Sequence, residues 1–190
     1  MNETRPTLDL LRHGEVEGGR RFRGSTDDPL SAVGWEQLWE AAERHGPWDR
    51  IVSSPLRRCR EFAERLAETL QKPLNIEQRL AELDFGEWEG LSFEELRASA
   101  PESLQRFVSD PFRHPPPGAE SLPGFKRRTL DALADLAQDS DSRALAVTHG
   151  GVIRMLLCHV RNWPEQRFQE IDVGYGALFR LRLRDGQWRE

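Results

Sequence analysis

The chain has 190 residues, of which 37% are apolar and 31% charged, and its formal net charge is −5. This length and apolar content predict one domain spanning residues 1–190 with a sizeable core. The acidic balance argues against a nucleic acid or an anionic membrane surface as the partner, because both favour a basic face on the protein. Two cysteines that lie far apart, in a chain with no signal peptide or transmembrane segment, predict reduced thiols and a cytoplasmic protein.

A short apolar run near the N-terminus, Leu8 to Leu11, predicts a buried strand that stops at the cluster Arg12-His13-Gly14-Glu15. In an open α/β sheet, ligands bind at the carboxyl ends of the strands. A histidine beside an arginine there supplies two parts of covalent phosphoryl transfer, a nucleophile and a charge that holds the oxyanion. Gly14 would let the backbone turn sharply and approach the ligand closely. The same four residues could also meet by accident at the end of any strand.

A loop rich in Gly, Arg and Asp is predicted over residues 16–29, between the first strand and the first helix. The helix has Ser31 as its predicted N-cap, with Trp35 and Trp39 on its core-facing side. Arginines of the loop, among them Arg20 and Arg23, could reach the polar groups of a substrate or could be solvated surface.

A second strand is predicted over residues 48–52, and the helix that follows Ser54-Pro55 carries an apolar stripe. The free backbone N–H groups of its first turn predict an anion site. Arg57 and Arg58 differ by about 100° around a helix, so only one of them can face that site. Cys59, which lies between two arginines, is predicted to face the core.

The third predicted strand, residues 73–76, leads into an acidic stretch at residues 80–90, in which carboxylates alternate with apolar side chains. Two interpretations of this stretch stay open from its residues alone. It could be an exposed acidic turn that Phe85 and Trp88 hold against the core. Alternatively, one of its carboxylates could lie beside a phosphate as an acid.

Two short helices broken at Pro101 are predicted between Ser92 and Val108, followed by a proline-dense connection at residues 111–118. Together they predict a loop and helix cap over about residues 92–120, because a connection of this length often covers a site. A further helix is predicted from Ser121 to about Ala137. Glu120 could be a pocket residue or a helix-start charge that the macrodipole favours.

A second apolar run, residues 144–147, also ends in a histidine, His149, followed by two glycines and a predicted helix over residues 152–160. Residues 168–173 and 177–183 alternate with period 2, which predicts edge strands. The order of elements predicts an α/β fold, a three-layer α/β/α sandwich whose mostly parallel sheet carries antiparallel edge strands. In such a sheet, both imidazoles would meet at one edge.

Four motifs together resemble the histidine phosphatase superfamily, which has the phosphoglycerate-mutase-like fold. They are, in chain order, Leu11-Arg12-His13-Gly14-Glu15, Ser53-Ser54-Pro55-Leu56-Arg57-Arg58, Leu80-Ala81-Glu82 with Phe85-Gly86-Glu87-Trp88-Glu89-Gly90, and Thr148-His149-Gly150-Gly151. The resemblance implies that His13 is the nucleophile that becomes phosphohistidine. It further implies that Arg12, Arg58 and His149 hold the phosphoryl oxygens and that Glu82 is the proton donor.

These implied roles describe a reaction that needs no metal or other cofactor. Two arginines and a histidine can offset the charge that spreads over the equatorial oxygens of a transferring phosphoryl group. His13 must be neutral to attack phosphorus, and neighbouring cations lower the pKa of an imidazole. In the second half-reaction, water would attack the phosphohistidine and Glu82 would act as the base.

Within the superfamily, the chain looks most like the α-ribazole phosphatases of cobalamin biosynthesis, which remove the 5′-phosphate of α-ribazole phosphate or of adenosylcobalamin phosphate. The matching details are Arg23-Gly24-Ser25, Asp28-Pro29-Leu30, Phe85-Gly86-Glu87-Trp88-Glu89 and Pro116-Pro117-Gly118-Ala119-Glu120-Ser121. Two positions depart from the usual pattern, because Gly19 replaces an asparagine six residues after the nucleophile and Ala119 replaces a glycine. We expect contacts to the small-molecule substrate from Arg20, Arg23, Gly24, Glu120 and Gly150.

Other functions stay open. An enzyme with the same chemistry could act on a different phosphomonoester. A phosphoglycerate mutase is disfavoured, because the phosphoglycerate mutases of this superfamily are longer chains. A phosphate-binding module without turnover is disfavoured, since all five implied catalytic residues are present. A metal hydrolase built on His13 and His149 lacks a His-x-x-x-His pair or other ligand spacing. The sequence leaves a homodimer open.

Overall fold

A mixed six-stranded sheet forms the centre of the molecule. The computed structural model describes residues 6–137 and 143–190, so the predicted domain also includes residues 1–5 and 138–142, which lie outside the described part. The strands are β1 Thr7–Arg12, β2 Arg50–Ser53, β3 Leu74–Ile76, β4 Arg143–Thr148, β5 Leu178–Arg184 and β6 Gln187–Arg189. Their spatial order is β3-β2-β4-β1-β5-β6. The first four strands are parallel, as predicted, and the predicted antiparallel edge is present, because β5 runs antiparallel to β1. The last strand, β6, runs antiparallel to β5 and lies outside the predicted strands.

Helices cover both faces of this sheet. They are α1 Ala32–His45, α2 Arg57–Leu70, α3 Phe93–Ser99, α4 Pro101–Ser109, α5 Leu122–Leu136 and α6 Gly150–Val160, with 3₁₀ helices at Gln78–Leu80, Gly86–Trp88 and Glu165–Glu170. Alternate residues of β4 enter different cores: Ala144 and Ala146 pack with α5 and α6, whereas Leu145 and Val147 pack with α1 and α2. This period-2 alternation of buried residues builds the three layers of the predicted α/β/α sandwich.

The register of β1 against β4 brings the two histidine motifs together. Arg12 lies opposite Thr148, and the backbone N–H of His13 donates to the carbonyl of Thr148 at 2.9 Å. The strands are parallel, so the residues that follow them emerge at the same edge of the sheet. His13 and His149 therefore meet there, with 5.2 Å between their ring centroids.

The strand predicted over residues 168–173 is wrong. Residues Glu165–Glu170 form a 3₁₀ helix after Pro164, and the next strand starts only at Leu178. Phe168 is buried and packs on Phe112, while Ile171 and Val173 also enter the core. Packing of these apolar side chains against α6 and the core outweighs the weak local preference for a strand.

The predicted cap of residues 92–120 consists of α3, α4 and the turns that lead to α5. Ser92 caps α3 in a capping box with Glu95. A third apolar cluster attaches α3 and α4 to the rest of the fold; its members are Phe22, Phe85, Trp88, Leu91, Leu96, Leu104 and Phe107. These helices consequently pack on the loops that follow β1 and β3.

The start of α1 and the state of the two cysteines agree with the predictions from the sequence. Ser31 caps α1 by accepting a hydrogen bond from the backbone N–H of Gly34, and Trp35 and Trp39 are partly buried against the core. Cys59 and Cys158 are both buried and unpaired. None of the helices in residues 6–137 and 143–190 combines the length and the apolar character that a membrane span requires.

Candidate active site

His13 lies directly after β1 and is buried, with 6% of its surface exposed. Its Nδ1 lies 2.7 Å from the carbonyl oxygen of Gly14, an atom that can only accept a hydrogen bond. Nδ1 therefore carries the imidazole proton, and the lone pair lies on Nε2. Burial lowers the pKa of His13 well below its ordinary value, and the charges of Arg58 and Arg12 act in the same direction. The imidazole is thus neutral at physiological pH, with a free lone pair on Nε2.

Arg12 is held from two sides beside this imidazole. Its Nη1 donates to the carbonyl of Val173, and its Cζ lies 4.1 Å from the ring centroid of Tyr175. Its Nε is buried and has no hydrogen-bond partner among the described residues. An unpaired buried N–H is unusual in a native structure, and a phosphoryl oxygen would satisfy it. Burial lowers the pKa of Arg12, and the charges of Arg154 and Arg20 lower it further.

Arg58 is buried on the first turn of α2, whereas Arg57 points to solvent and pairs with Glu61. The Nε of Arg58 donates to Nδ1 of His149 at 3.2 Å. Its Nη1 and Nη2 donate to carbonyls of the loop after β1, at Thr26 and Gly24. These contacts confirm that only one of the two neighbouring arginines faces the site.

His149 is fully buried and occupies the N-cap position of α6. Nδ1 accepts from Arg58, so Nε2 carries the proton, and it lies 2.6 Å from Oγ of Ser54. Burial lowers the pKa of His149 well below its ordinary value, with Arg58 the next cause. A neutral His149 is therefore fixed by one partner on each ring nitrogen.

Glu82 reaches the N-terminus of α6 from the segment after β3. Its Oε2 accepts from the backbone N–H of Gly151 at 2.9 Å, and its Oε1 accepts from the N–H of Leu83 at 3.0 Å. A Cβ at position 151 would lie 2.3 Å from Oε1 of Glu82, so only glycine leaves room for the carboxylate. The acidic stretch thus brings one carboxylate to α6, as the second interpretation requires, while Phe85 and Trp88 pack in the third apolar cluster, as the first one predicts.

Comparison with known proteins identifies the group to which this site belongs. The family model of the histidine phosphatase superfamily (branch 1) matches residues 8–190. The chain belongs to the histidine phosphatase superfamily. Glucosyl-3-phosphoglycerate phosphatase of Mycolicibacterium vanbaalenii is 35% identical over 175 residues, covering 83% of this chain and 77% of that protein.

Two further matches extend the comparison. Bifunctional protein Rv2228c of Mycobacterium tuberculosis is 35% identical over 182 residues, which cover 93% of this chain but only 47% of that protein. The chain thus spans about half the length of that relative. The α-ribazole phosphatase of Shigella flexneri superposes with a TM-score of 0.85 over 96% of this chain and 93% of that one. The two sequences are 24% identical, and the superposition shows that the two proteins share a fold.

The loop after β1 supports the histidine phosphatase site through its backbone. The guanidinium of Arg23 is turned inward, onto the carboxylate of Asp28 and the carbonyls of Glu17 and Gly19. A Cβ at Gly24 would lie 1.8 Å from the carbonyl oxygen of Leu83, so this glycine permits close packing of two segments. Arg20, in contrast, is exposed. Of the three predicted substrate contacts in this loop, the structure leaves only the side chain of Arg20 free to reach solvent or ligand.

The anion site predicted at the start of α2 is occupied by the protein itself. The backbone N–H of Arg57 donates to Oδ1 of Asp27 at 2.6 Å. An aspartate from the loop after β1 thus takes the place of an external anion. Gly14 makes a close approach that the sequence did not indicate, to Gly34 of α1: a Cβ at Gly14 would lie 2.1 Å from the carbonyl oxygen of Gly34.

The two remaining predicted substrate contacts lie on α6 and before α5. Gly150 opens α6, and a Cβ there would lie 3.3 Å from Nε of Arg12. The carboxylate of Glu120 accepts two hydrogen bonds from Arg128, so its partner in this structure is a side chain of the protein itself. Ala119, at the position where a glycine is usual, donates its N–H to the carbonyl of Pro116.

Sequence reasoning missed four residues that shape the site. Ser54 fixes His149, Tyr175 stacks on Arg12, Glu89 orders the loop after β1, and Arg128 binds the segment before Glu82. Tyr175 is the sole tyrosine of the chain and lies between two glycines, a pattern that could have drawn attention to it. The others act through partners far away in sequence, so no local pattern marks them. Among the described residues, no three His, Cys, Asp or Glu side chains are grouped to hold a metal ion.

An apolar cavity of about 320 Å³ opens beside Glu82 and Gly151. Six of its twelve lining residues are aromatic: Phe22, Phe85, Phe93, Phe107, Phe125 and Phe168. Arg154 also lines it, and its Nε donates to the carbonyl of Ile171 at 2.8 Å. Glu82 thus borders this cavity as well as the N-terminus of α6.

Proposed function

We propose that the chain hydrolyses phosphomonoesters through a phosphohistidine on His13, without a metal ion, and that its leaving group carries an aromatic ring. The observation that carries this proposal is the neutral, buried His13 with its lone pair on Nε2, next to cations and to an aromatic cavity that begins at Glu82. Such a cavity favours a flat apolar group over a polyhydroxylated one.

The reaction proceeds in two displacements at phosphorus. In the first, the Nε2 lone pair of His13 forms the N–P bond, the P–O bond to the leaving group breaks, and Glu82 gives its proton to the departing oxygen. Arg12 and Arg58 hold the phosphoryl oxygens. The resemblance assigns the same role to His149, whose N–H would then turn from Ser54 to the phosphoryl group. In the second, water forms a new P–O bond, its proton passes to Glu82, and the N–P electron pair returns to Nε2.

The specific substrate that we propose is α-ribazole 5′-phosphate, or the related adenosylcobalamin 5′-phosphate. The benzimidazole ring of α-ribazole suits the phenylalanine-lined cavity, and Arg154 lies where it can meet the ribose hydroxyls. The motifs at Arg23-Gly24-Ser25 and at residues 116–121 support the same choice by their likeness to α-ribazole phosphatases. In this proposal the enzyme serves cobalamin biosynthesis.

A second candidate is hydrolysis of glucosyl-3-phosphoglycerate. The relative from Mycolicibacterium vanbaalenii that bears this name is 35% identical to the chain. Arg154 could then pair with a carboxylate on the leaving group. The two candidates thus differ in what the cavity binds, an aromatic base in the first and an anionic sugar acid in the second.

The decisive experiment measures phosphate release, with a chelator present, from α-ribazole 5′-phosphate, ribose 5-phosphate and glucosyl-3-phosphoglycerate. We expect α-ribazole 5′-phosphate to have the highest kcat/KM and His13→Ala to abolish release from all three. Phe93→Ala should raise KM for α-ribazole 5′-phosphate and not for ribose 5-phosphate, because Phe93 lines the cavity and is 47% exposed. Val33→Ala, an exposed apolar residue outside the cavity, is the matched control.

Each part of the proposal has its own contrary outcome. Preference for glucosyl-3-phosphoglycerate would replace the substrate and keep the chemistry. Loss of activity with the chelator would overturn the metal-independent mechanism. Failure to trap an alkali-stable, acid-labile phosphoryl group on wild-type protein, after quenching during turnover, would overturn the phosphohistidine intermediate.

A further inference from the structure

Arg128 on α5 binds the backbone of the segment that carries Glu82. Its Nη1 donates to the carbonyls of Arg79 and Ala81 at 2.6 and 2.7 Å. Its Nη2 donates to the carbonyl of Glu82 itself at 3.0 Å. One guanidinium therefore holds three of four consecutive carbonyls, just where the chain leaves the 3₁₀ helix at Gln78–Leu80 and enters the site.

Glu120 fixes the orientation of this guanidinium. Nε and Nη2 of Arg128 donate to the two carboxylate oxygens of Glu120 at 2.7 and 2.8 Å, a bidentate pair. The Cζ atom of Arg128 lies 4.7 Å from the ring centroid of Phe125. An arginine has five N–H donors, and all five of Arg128 are thus used. The geometry leaves the guanidinium no second arrangement with equal bonding.

We propose that Glu120 and Arg128 form a positioning pair that sets Glu82 for proton transfer to the leaving group. This inference rests on the proposed function, in which Glu82 is the acid. The side chain of Glu82 bonds to the N-terminus of α6, while its backbone bonds to Arg128 on α5. Glu82 is therefore held by two helices, its carboxylate by α6 and its backbone by α5. Glu120 acts through Arg128 and not through contact with the substrate.

This role has a chemical signature that depends on the leaving group. An alkyl phosphomonoester releases a strongly basic alkoxide, so the P–O bond breaks readily only if Glu82 transfers its proton to that oxygen as the N–P bond forms. p-Nitrophenyl phosphate releases a stable phenolate, which needs no proton. A misplaced Glu82 should consequently slow hydrolysis of alkyl esters and spare the aryl ester.

The experiment compares Arg128→Lys and Glu120→Gln with wild type on ribose 5-phosphate and on p-nitrophenyl phosphate. Lysine keeps the charge but cannot bond three carbonyls and a carboxylate in one plane. We expect kcat/KM for ribose 5-phosphate to fall by about 10- to 100-fold, since small misplacements of a catalytic group cost that much. For p-nitrophenyl phosphate we expect a fall below about 3-fold, and inhibition by vanadate should be unchanged because the phosphoryl site is intact.

Arg161→Lys is the matched control. Arg161 also forms a bidentate pair, with Glu190, but it follows the last residue of α6, at the opposite end of that helix from Gly151. Its replacement should leave the ratio of the two kcat/KM values unchanged. Should Arg128→Lys fold poorly, Glu120→Gln tests the same pair while keeping the shape of the side chain.

Glu82→Gln separates failure of this inference from failure of the proposed function. If Glu82→Gln slows the alkyl ester selectively, whereas both pair variants slow the two esters equally, the pair is structural and the inference is overturned. If Glu82→Gln slows both esters equally, Glu82 is not the acid and the proposed mechanism itself fails. Selective loss in Glu82→Gln and in the pair variants would establish the positioning role.

Discussion

Nε of Arg58 donates a hydrogen bond to Nδ1 of His149, so a guanidinium and an imidazole 91 positions apart are in direct contact. A guanidinium can only donate, and this contact therefore holds the imidazole in its neutral form. His13, 5.2 Å away between ring centroids, is held neutral by the same burial and the same cations. Burial and the neighbouring guanidinium groups thus disfavour a second proton on either histidine.

The two histidines should make the protein less stable as the pH falls below neutral. Both have a pKa well below the 6.5 of an unfolded histidine, so below that pH the unfolded chain binds more protons than the folded one. The free energy of unfolding should then fall by up to about 1.4 kcal/mol per pH unit for each histidine. Urea denaturation between pH 7.5 and 5.5 measures this slope.

Two variants assign that slope to its cause. His149→Gln should reduce it, whereas His114→Gln, at an exposed position on the turn after α4, should leave it unchanged. Asp9 and Glu89 also have lowered pKa values, but their effect begins only as the pH falls towards 3.8 and 4.5. A free energy of unfolding that stays constant from pH 7.5 to 5.5 would show that the histidines are not held neutral.

Gly14→Ala should destabilise the protein and reduce its activity. The new Cβ would lie 2.1 Å from the carbonyl oxygen of Gly34, so β1 and α1 must separate and His13 must move with them. Overpacking of this kind costs about 1–3 kcal/mol. Gly174→Ala is the control, because a Cβ there meets no atom within 4 Å. Thermal and urea unfolding compare the two variants, and equal stability would contradict the close approach seen here.

Glu89→Gln should weaken the binding of a phosphoryl group, although Glu89 hydrogen-bonds to the loop after β1 and not to His13 or Arg12. The carboxylate of Glu89 accepts hydrogen bonds from the backbone of Gly24, Ser25, Thr26 and Phe85. Burial opposes its ionisation, but hydrogen bonds from Thr26 and Phe85 lower the pKa of Glu89 overall. An amide would turn an N–H group towards these donors, at a cost of about 1–3 kcal/mol.

The loop that Glu89 holds supplies the carbonyls that bind Arg58, at Gly24 and Thr26. We therefore expect Glu89→Gln to raise the inhibition constant of vanadate as well as to lower the free energy of unfolding. Glu87→Gln, on the exposed side of the same stretch, should change neither. A vanadate constant equal to that of wild type would show that the loop does not position Arg58.

Ser54→Ala should leave the N–H of His149 without its partner. The Oγ of Ser54 lies 2.6 Å from Nε2, and both groups are buried. A buried donor left unsatisfied costs about 1–3 kcal/mol, and the imidazole then loses a partner that orients it, while its bond from Arg58 remains. We expect a lower free energy of unfolding together with a lower kcat/KM. Ser53→Ala, equally buried but bonded only to the carbonyl of Ser54, should affect stability alone.

The sequence by itself determined where the strands end, because each local apolar run stops at polar residues. In an open α/β sheet these polar residues lie at the carboxyl ends of the parallel strands, where ligands bind. His13 after β1 and His149 after β4 could be placed together on that basis, and Arg58 could be separated from Arg57 by helical geometry. The family resemblance then singled out Glu82 from a stretch in which the residues alone left two interpretations open.

Only the tertiary structure decided what holds these groups. Ser54, Glu89 and Arg128 bond to partners on other elements, and no local periodicity records such pairings. The same limit explains what the sequence did not predict: Asp27 bonds to the first turn of α2, Gly14 packs on Gly34, and Phe168 enters the core and not an edge strand. Local sequence sets which residues leave each strand, whereas the packing of distant segments sets which atoms those residues finally bond.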